Sequence, residues 1–294
     1  VESVTGSLKS SSVLHLPGRL LPIDICSYIA CEAKFTSQDG AGRPNSTQAA
    51  IPHRPRKPLA QAFSRTSGPD ASACSSCHND PVSGGAGDYV TNAFTASGFA
   101  NPVFDTTDPE FSNERGTNHL FGAGLVELLA REMTAELQSH RHQALITARE
   151  TQQPVTAALT AKGISFGTLT AFPDATVDPS MIEGVDFDLI IKPFTHKGVI
   201  RSLRNFTLNA MSHHAGMQAE ERFGPRWTGT SDFDEDGFTA EMSQGEISAL
   251  VAWQATLPPP VRRDDLSPDW AAAAQGGEGL VTDLGCAAGH VSAW

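Results

Sequence analysis

The sequence predicts a mainly α-helical protein with long irregular loops. Two segments, 120–148 and 243–257, carry apolar residues at helical spacing, and the prolines at 258–260 end the second. Glycine (26) and proline (19) are frequent among the 294 residues, which favours short elements joined by turns. Hydrophobic residues make up 39%, so the chain can still bury a core.

The first predicted helix, over 120–148, has the clearest pattern. Leu125, Met133 and Leu137 lie on one apolar stripe with charged residues between them. Asn118 is the expected N-cap, and core packing is the expected role of Met133.

The remaining chain falls into shorter predicted elements. Residues 151–195 mix apolar runs with turns and are expected to be extended or irregular, and a second helix is predicted over 199–211. These patterns suggest a loop-rich N-terminal region over 1–54, a main domain over 55–260, and the start of a further, truncated unit over 261–294.

The charge of the chain excludes one class of partner. The formal net charge is −12, whereas nucleic-acid binding needs clustered lysine and arginine. No apolar run approaches the roughly 20 residues of a membrane span. The composition therefore predicts a protein that binds no nucleic acid and does not span a membrane.

The strongest motif is Cys74-Ser75-Ser76-Cys77-His78, which has the pattern C-x-x-C-H. In this pattern two thiols bond to the two vinyl groups of one haem, and the following imidazole becomes the proximal iron ligand. We therefore expect haem c, and a periplasmic or otherwise exported location because haem is attached after export. The sequence begins at Val1 without a signal-peptide pattern, so we expect a mature or clipped chain.

Other chemistry is possible for these cysteines. The Cys74–Cys77 pair could be a redox dithiol or a plain disulfide, although no thioredoxin-like pattern surrounds it. Together with Cys26 and Cys31 it could form a four-thiolate zinc site. Cys26 and Cys31 are interpreted as a disulfide or as thiols without a haem role, since no histidine follows Cys31.

A second, incomplete motif lies at Cys286–His290, where Gly289 stands in place of the second cysteine. One thioether from Cys286 and the imidazole of His290 could hold a second haem, less securely than the first. The alternative is a chance resemblance to the motif, so the sequence predicts one haem and leaves two possible.

The distal haem ligand is expected among residues 211–217, because methionine or histidine usually fills that position. Met217 is the first choice, His214 the second and His213 the third. Core packing is the alternative role of Met211, and a helix C-terminus also favours histidine cations.

An acidic loop over 232–241 suggests calcium. Alternating aspartates converge on one point if the loop coils, and a glycine permits the turn. The alternative is a solvated acidic turn before a helix. The expected ligands are Asp232, Asp234, Asp236, the carbonyl of Phe238, and Glu241.

Three longer runs carry a family resemblance. They are CSSCHNDPVSGGAGD, RGTNHLFGAGLVELLAREM and IKPFTHKGVIRSLRNFTLNAMSHHAGMQAEERFG. From about residue 55 onward, the chain resembles the di-haem oxidoreductases related to bacterial di-haem cytochrome c peroxidases. The resemblance implies cytochrome c-like helical domains, a first haem on Cys74, Cys77 and His78, and a second on Cys286 and His290.

Three functions compete at this point. The first is electron transfer between redox partner proteins within a di-haem oxidoreductase. The second is a peroxidase acting on hydrogen peroxide, for which Glu127, Glu220 and Glu221 are candidate acid–base groups. The third is a non-redox, metal-stabilised extracellular module in which the motif holds no haem.

Overall fold

The computed structural model of the chain describes residues 31–41, 71–94, 112–233, 236–261 and 265–288. Most of the predicted loop-rich region 1–54 therefore lies outside the described residues.

The chain divides into two compact units, the first being Val1–Ala130 with Ile191–Pro258 and the second Arg131–Ile190 with Pro259–Trp294. Residues 131–190 thus lie in the second unit, and the domain bounds at 54, 260 and 294 stay predictions.

The first unit combines a β-hairpin with helices. Strands β1 (Gly87–Phe94) and β2 (Ser112–Thr117) pair antiparallel. The helices are α1 (Ala123–Thr151), which continues into the second unit, α2 (Leu203–Ala210), α3 (Glu220–Phe223), α4 (Pro225–Thr228) and α5 (Gln244–Thr256).

Two buried clusters form the core of this unit among the described residues. The residues of the larger cluster are Phe35, Met211, Ala215, Met217, Ala219, Met242, Ile247 and Leu250. The smaller cluster consists of Cys31, Leu120 and Trp253, with Cys74, Phe206 and Leu257 packed against it. The smaller cluster thus places the first cysteine of the motif against the core.

The second unit contains a three-stranded antiparallel meander, β3 (Val155–Ala161), β4 (Ile164–Ala171) and β5 (Val177–Asp178). Lys162 and Gly163 join the first two strands, and both have positive φ, 49° and 79°. Two consecutive residues of positive φ suit the tight turn whose twist matches paired strands. Helix α6 (Pro268–Asp283) also belongs to this unit, and none of its residues is buried.

The prediction of a mainly α-helical fold is confirmed only in part. Helices hold more of the described residues than strands do, but antiparallel sheet is also present, mostly in the region predicted as extended or irregular. Among the described residues, no helix is both long and apolar enough to cross a membrane.

Helix α1 differs from its prediction at the N-terminus. It begins at Ala123 because Gly122 adopts a positive φ of 73°, so the prediction of Asn118 as N-cap was wrong. Met133 and Leu137 are buried as expected, whereas Leu125 is 57% exposed.

Helices α2 and α5 begin at side-chain caps. Ser202 accepts a hydrogen bond from the backbone N–H of Asn205 at the start of α2, and Ser243 forms a reciprocal capping box with Glu246 at the start of α5. The helix predicted over 243–257 therefore agrees closely with the observed α5. The helix predicted from residue 199 begins later, at Leu203, because Ser202 caps it.

Candidate functional site

The C-x-x-C-H motif folds as one tight turn. A 3₁₀ segment spans Cys74–Ser76, and the carbonyl of Cys74 accepts hydrogen bonds from the backbone N–H groups of Cys77 (3.2 Å) and His78 (3.0 Å). The side chains of Cys74, Cys77 and His78 are all half-buried. The turn thus keeps both thiols and the imidazole within one short, hydrogen-bonded segment.

The imidazole of His78 lies in an environment that favours its neutral form. Burial is the main cause that lowers the pKa of His78, and the nearby His214 lowers it further, while backbone groups of Asn118 and Gly85 oppose the shift. Its Nδ1 atom is buried without a hydrogen-bond partner among the described residues. A buried, unsatisfied nitrogen needs an explanation, and a neutral imidazole is the form that binds a metal.

The loop after the motif folds back against it through glycines. The N–H of Gly84 donates to the carbonyl of His78 (2.9 Å), and a Cβ at Gly87 would collide with the carbonyl of Cys77. Gly84 also has a positive φ of 87°. Glycine at these positions permits the close approach of the loop backbone to the motif.

A third cysteine adjoins the motif. The Cys31 thiol is fully buried and interacts with the Cys74 thiol, while the Ser83 hydroxyl donates to the Cys31 sulfur at 3.3 Å. The interaction with Cys31, reinforced by burial, raises the pKa of the Cys74 thiol, and the same interaction lowers the pKa of Cys31. The predicted neighbour of Cys31 in a disulfide or zinc site, Cys26, lies outside the described residues.

The structure separates the candidate distal ligands. The carbonyl of His214 accepts a hydrogen bond from the N–H of Ala71 (3.1 Å), three residues before the motif, and the His214 ring is close enough to influence the pKa of His78. Met217 is 1% exposed and packs in the larger core cluster with Met211. His214 thus lies close to His78, and Met217 lies in the larger core cluster.

A π-helical turn, Met211–Ala215, carries both His213 and His214. It ends at Gly216, whose φ is 68°, and the N–H of Met217 then donates back to the carbonyl of Met211 (3.0 Å). Single π turns occur frequently at functional sites because they re-aim the side chains they carry.

The acidic loop is held together by its own backbone. The carboxylate of Asp232 accepts from the N–H groups of Asp236 (3.3 Å) and Gly237 (3.0 Å), and Asp236 accepts from Phe238 (2.8 Å). Asp234 lies outside the described residues. Within the described ranges, no group of three or more histidine, cysteine or acidic side chains could hold a metal ion.

Glu241, the last of the predicted calcium ligands, has a structural partner in the backbone. It is buried, its carboxylate accepts a hydrogen bond from the N–H of Gln218 at 2.7 Å, and it packs against Gly40. Glu241 therefore fixes the backbone directly after Met217.

Two of the three candidate acid–base glutamates already have structural partners. Glu127 accepts from the N–H of Leu203 (2.8 Å), and Glu221 pairs with the guanidinium of Arg204 (2.6 Å), while Glu220 is exposed. Glu220, Glu221 and Arg204 line a cavity of about 510 Å³. Glu127 and Glu221 thus each engage Oε2 with a structural partner, while Oε1 of Glu221 is buried without a hydrogen-bond partner among the described residues.

The incomplete second motif has different surroundings. Cys286 is exposed and begins a short 3₁₀ segment, Cys286–Ala288. Gly289 and His290 lie outside the described residues.

Two features escaped the sequence analysis. The contact of Cys31 with Cys74 joins residues far apart in the chain, and no local pattern predicts such a contact. Gln218 is 6% exposed, and both polar atoms of its side chain lack partners among the described residues. A glutamine next to predicted ligands carries no signal of its own in the sequence.

Comparison with known proteins gave no relative. No protein-family model matches the chain, and no match was found among curated proteins or solved structures.

Proposed function

We propose that this chain is an exported c-type cytochrome that transfers electrons within a di-haem oxidoreductase, with one haem attached at Cys74 and Cys77. The observation that carries the proposal is the C-x-x-C-H turn itself, in which two thiols precede a half-buried imidazole with an unsatisfied nitrogen. This donor set fits a covalently attached haem, because one tight turn holds both sulfurs and the iron needs a neutral imidazole.

Each residue has a separate task in this proposal. Cys74 and Cys77 would tether the cofactor, and His78 would bind its iron. His214 replaces Met217 as our choice for the distal ligand, because His214 is the one tied to the motif segment and close to His78. When bound, haem supplies one-electron exchange, and a filled distal position suits electron transfer. The first unit would then be the cytochrome c-like domain.

Electron transfer is favoured over peroxidase chemistry by the positions of the carboxylates. Cleavage of peroxide needs an acid–base group near the reacting oxygen. Glu127 instead accepts a hydrogen bond from a backbone N–H, and Glu221 forms an ion pair with an arginine. The absorption spectrum distinguishes the two functions: a low-spin spectrum that hydrogen peroxide leaves unchanged is expected for electron transfer.

The experiment is a haem count on the full chain, exported in a host that attaches haem. Intact mass and a pyridine haemochrome assay should give one haem per chain. The double variant C74A/C77A should carry none, whereas the matched control C286A should still carry one. A wild-type chain without covalent haem would contradict the proposal, and a count of two that falls to one in C286A would restore the second site.

A further inference from the structure

The segment 31–35 is held against the haem-attachment turn by contacts that do not involve cysteine. The N–H of Phe35 donates to the carbonyl of Ser72 at 2.8 Å, and the hydroxyl of Ser75 donates to the carboxylate of Glu32 at 2.9 Å. Phe35 is also buried in the larger core cluster. Two hydrogen bonds and one buried aromatic side chain therefore fix how this segment lies along the turn.

These contacts bring the segment that contains Cys31 beside Cys74. Cys31 is fully buried in the smaller cluster with Trp253, Cys74 packs against that cluster, and the Cys31 side chain raises the pKa of the Cys74 thiol. A disulfide requires two cysteines whose backbones are already close and held in place. The Ser83 hydroxyl also donates to the Cys31 sulfur at 3.3 Å, so the fold holds this thiol in place where Cys74 packs.

We propose that Cys31 and Cys74 form a disulfide in the haem-free protein and so cap one of the two haem-attachment sulfurs. In the exchange, a small disulfide such as oxidised glutathione is the oxidant. Both S–H bonds break, one S–S bond forms between Cys31 and Cys74, and the oxidant leaves as two thiols, taking up the two electrons and two protons. An oxidising compartment maintains such a bond.

The consequence for maturation rests on the proposed function. A sulfur in a disulfide cannot bond to a vinyl group, so attachment at Cys74 would require prior reduction of the Cys31–Cys74 bond. After attachment, Cys31 would be left as a buried thiol beside a thioether, and its position in the core would protect it from further exchange.

The test of the disulfide uses no haem. The full chain is purified in haem-free, reduced form, equilibrated with oxidised glutathione, blocked with an alkylating reagent and digested without reduction. The Cys31–Cys74 peptide pair should be the most abundant disulfide, should persist in C26S and in C77S, and should be absent from C31S. A map dominated by Cys74–Cys77 or by Cys26–Cys31 would overturn the proposal.

Two controls keep the result independent of folding and of the haem assignment. The map of the wild-type chain requires no variant to fold, and circular dichroism of C31S and C31A checks that the variants keep their helices.

The maturation step is tested separately: with little reductant present, C31S should carry both thioethers in a several-fold larger fraction of chains than the wild type or C26S. Equal fractions would overturn the capping role while leaving the haem count unaffected.

Discussion

The complete motif at Cys74 and the incomplete motif at Cys286 lie in different surroundings. The turn at Cys74 is packed against Leu120 and Trp253 and is crossed by the segment that contains Cys31. Cys286 is exposed and follows helix α6, none of whose residues is buried. A short sequence pattern can supply the thiols and the imidazole for haem attachment at either site. The burial that would tune a haem iron comes from distant segments, and it surrounds Cys74 but not Cys286.

The largest expected effect concerns the distal ligand of the first site. H214A should leave haem attached but convert most of the sample from a low-spin to a high-spin absorption spectrum, because a distal ligand would be lost. The matched variant M217L, a nearly volume-conserving change in the core, should keep the low-spin spectrum. If M217L and not H214A changes the spectrum, Met217 is the ligand.

The difference in burial predicts a large difference in stability between two tryptophans. Trp253 is 4% exposed beside the first motif, and Trp270 is 70% exposed in α6. W253A should lower the free energy of unfolding by about 3–5 kcal/mol, because it leaves a cavity against Cys31 and Leu120. W270A should change it by less than about 0.5 kcal/mol. Urea unfolding of the haem-free chain measures both, and equal losses would contradict the packing described.

A smaller effect is expected from calcium at the acidic loop of the first unit. We expect a chelator to lower the melting temperature by a few degrees and added Ca²⁺ to restore it. D236N removes charge but keeps one carbonyl oxygen to accept the loop N–H group of Phe238, so it should abolish the calcium response with little change in the metal-free melting temperature. Identical melting temperatures with and without chelator would contradict the prediction of a calcium site.

The smallest effect is expected at an exposed ion pair in the second unit. Lys162 contacts Glu132 (2.7 Å) and Glu136 (3.1 Å), and its backbone and side chain lower the pKa of Glu136. A carboxylate with a lowered pKa in the folded state stabilises the protein above its unfolded pKa, and this is lost as the pH falls through the folded value. E136Q should therefore lower the melting temperature slightly at pH 7, less in high salt, and hardly at pH 3.

The sequence predicts the features that depend on local patterns. Helix α5 follows from its apolar spacing, the Ser243–Glu246 capping box and the prolines after it, and the haem motif follows from five consecutive residues. The start of α1 could not be predicted, because the choice between Asn118 and Gly122 depends on backbone conformation rather than on capping preference.

Long-range contacts account for the rest of what the sequence did not predict. Cys31 meets Cys74 only through the register of two distant segments, and the choice between Met217 and His214 depends on which side chain the core buries. Helix periodicity and motif spacing predict neither the Cys31–Cys74 contact nor the burial of Met217, because both features arise from packing between distant elements.

The most direct test of the central claim is peptide mapping of the exported full chain by mass spectrometry. The account predicts that the peptide containing Cys74 and Cys77 carries haem on both sulfurs, and that the peptide containing Cys286 carries none. The account would be contradicted if the Cys74 and Cys77 sulfurs were found bonded to each other or to zinc in a chain that contains no covalent haem.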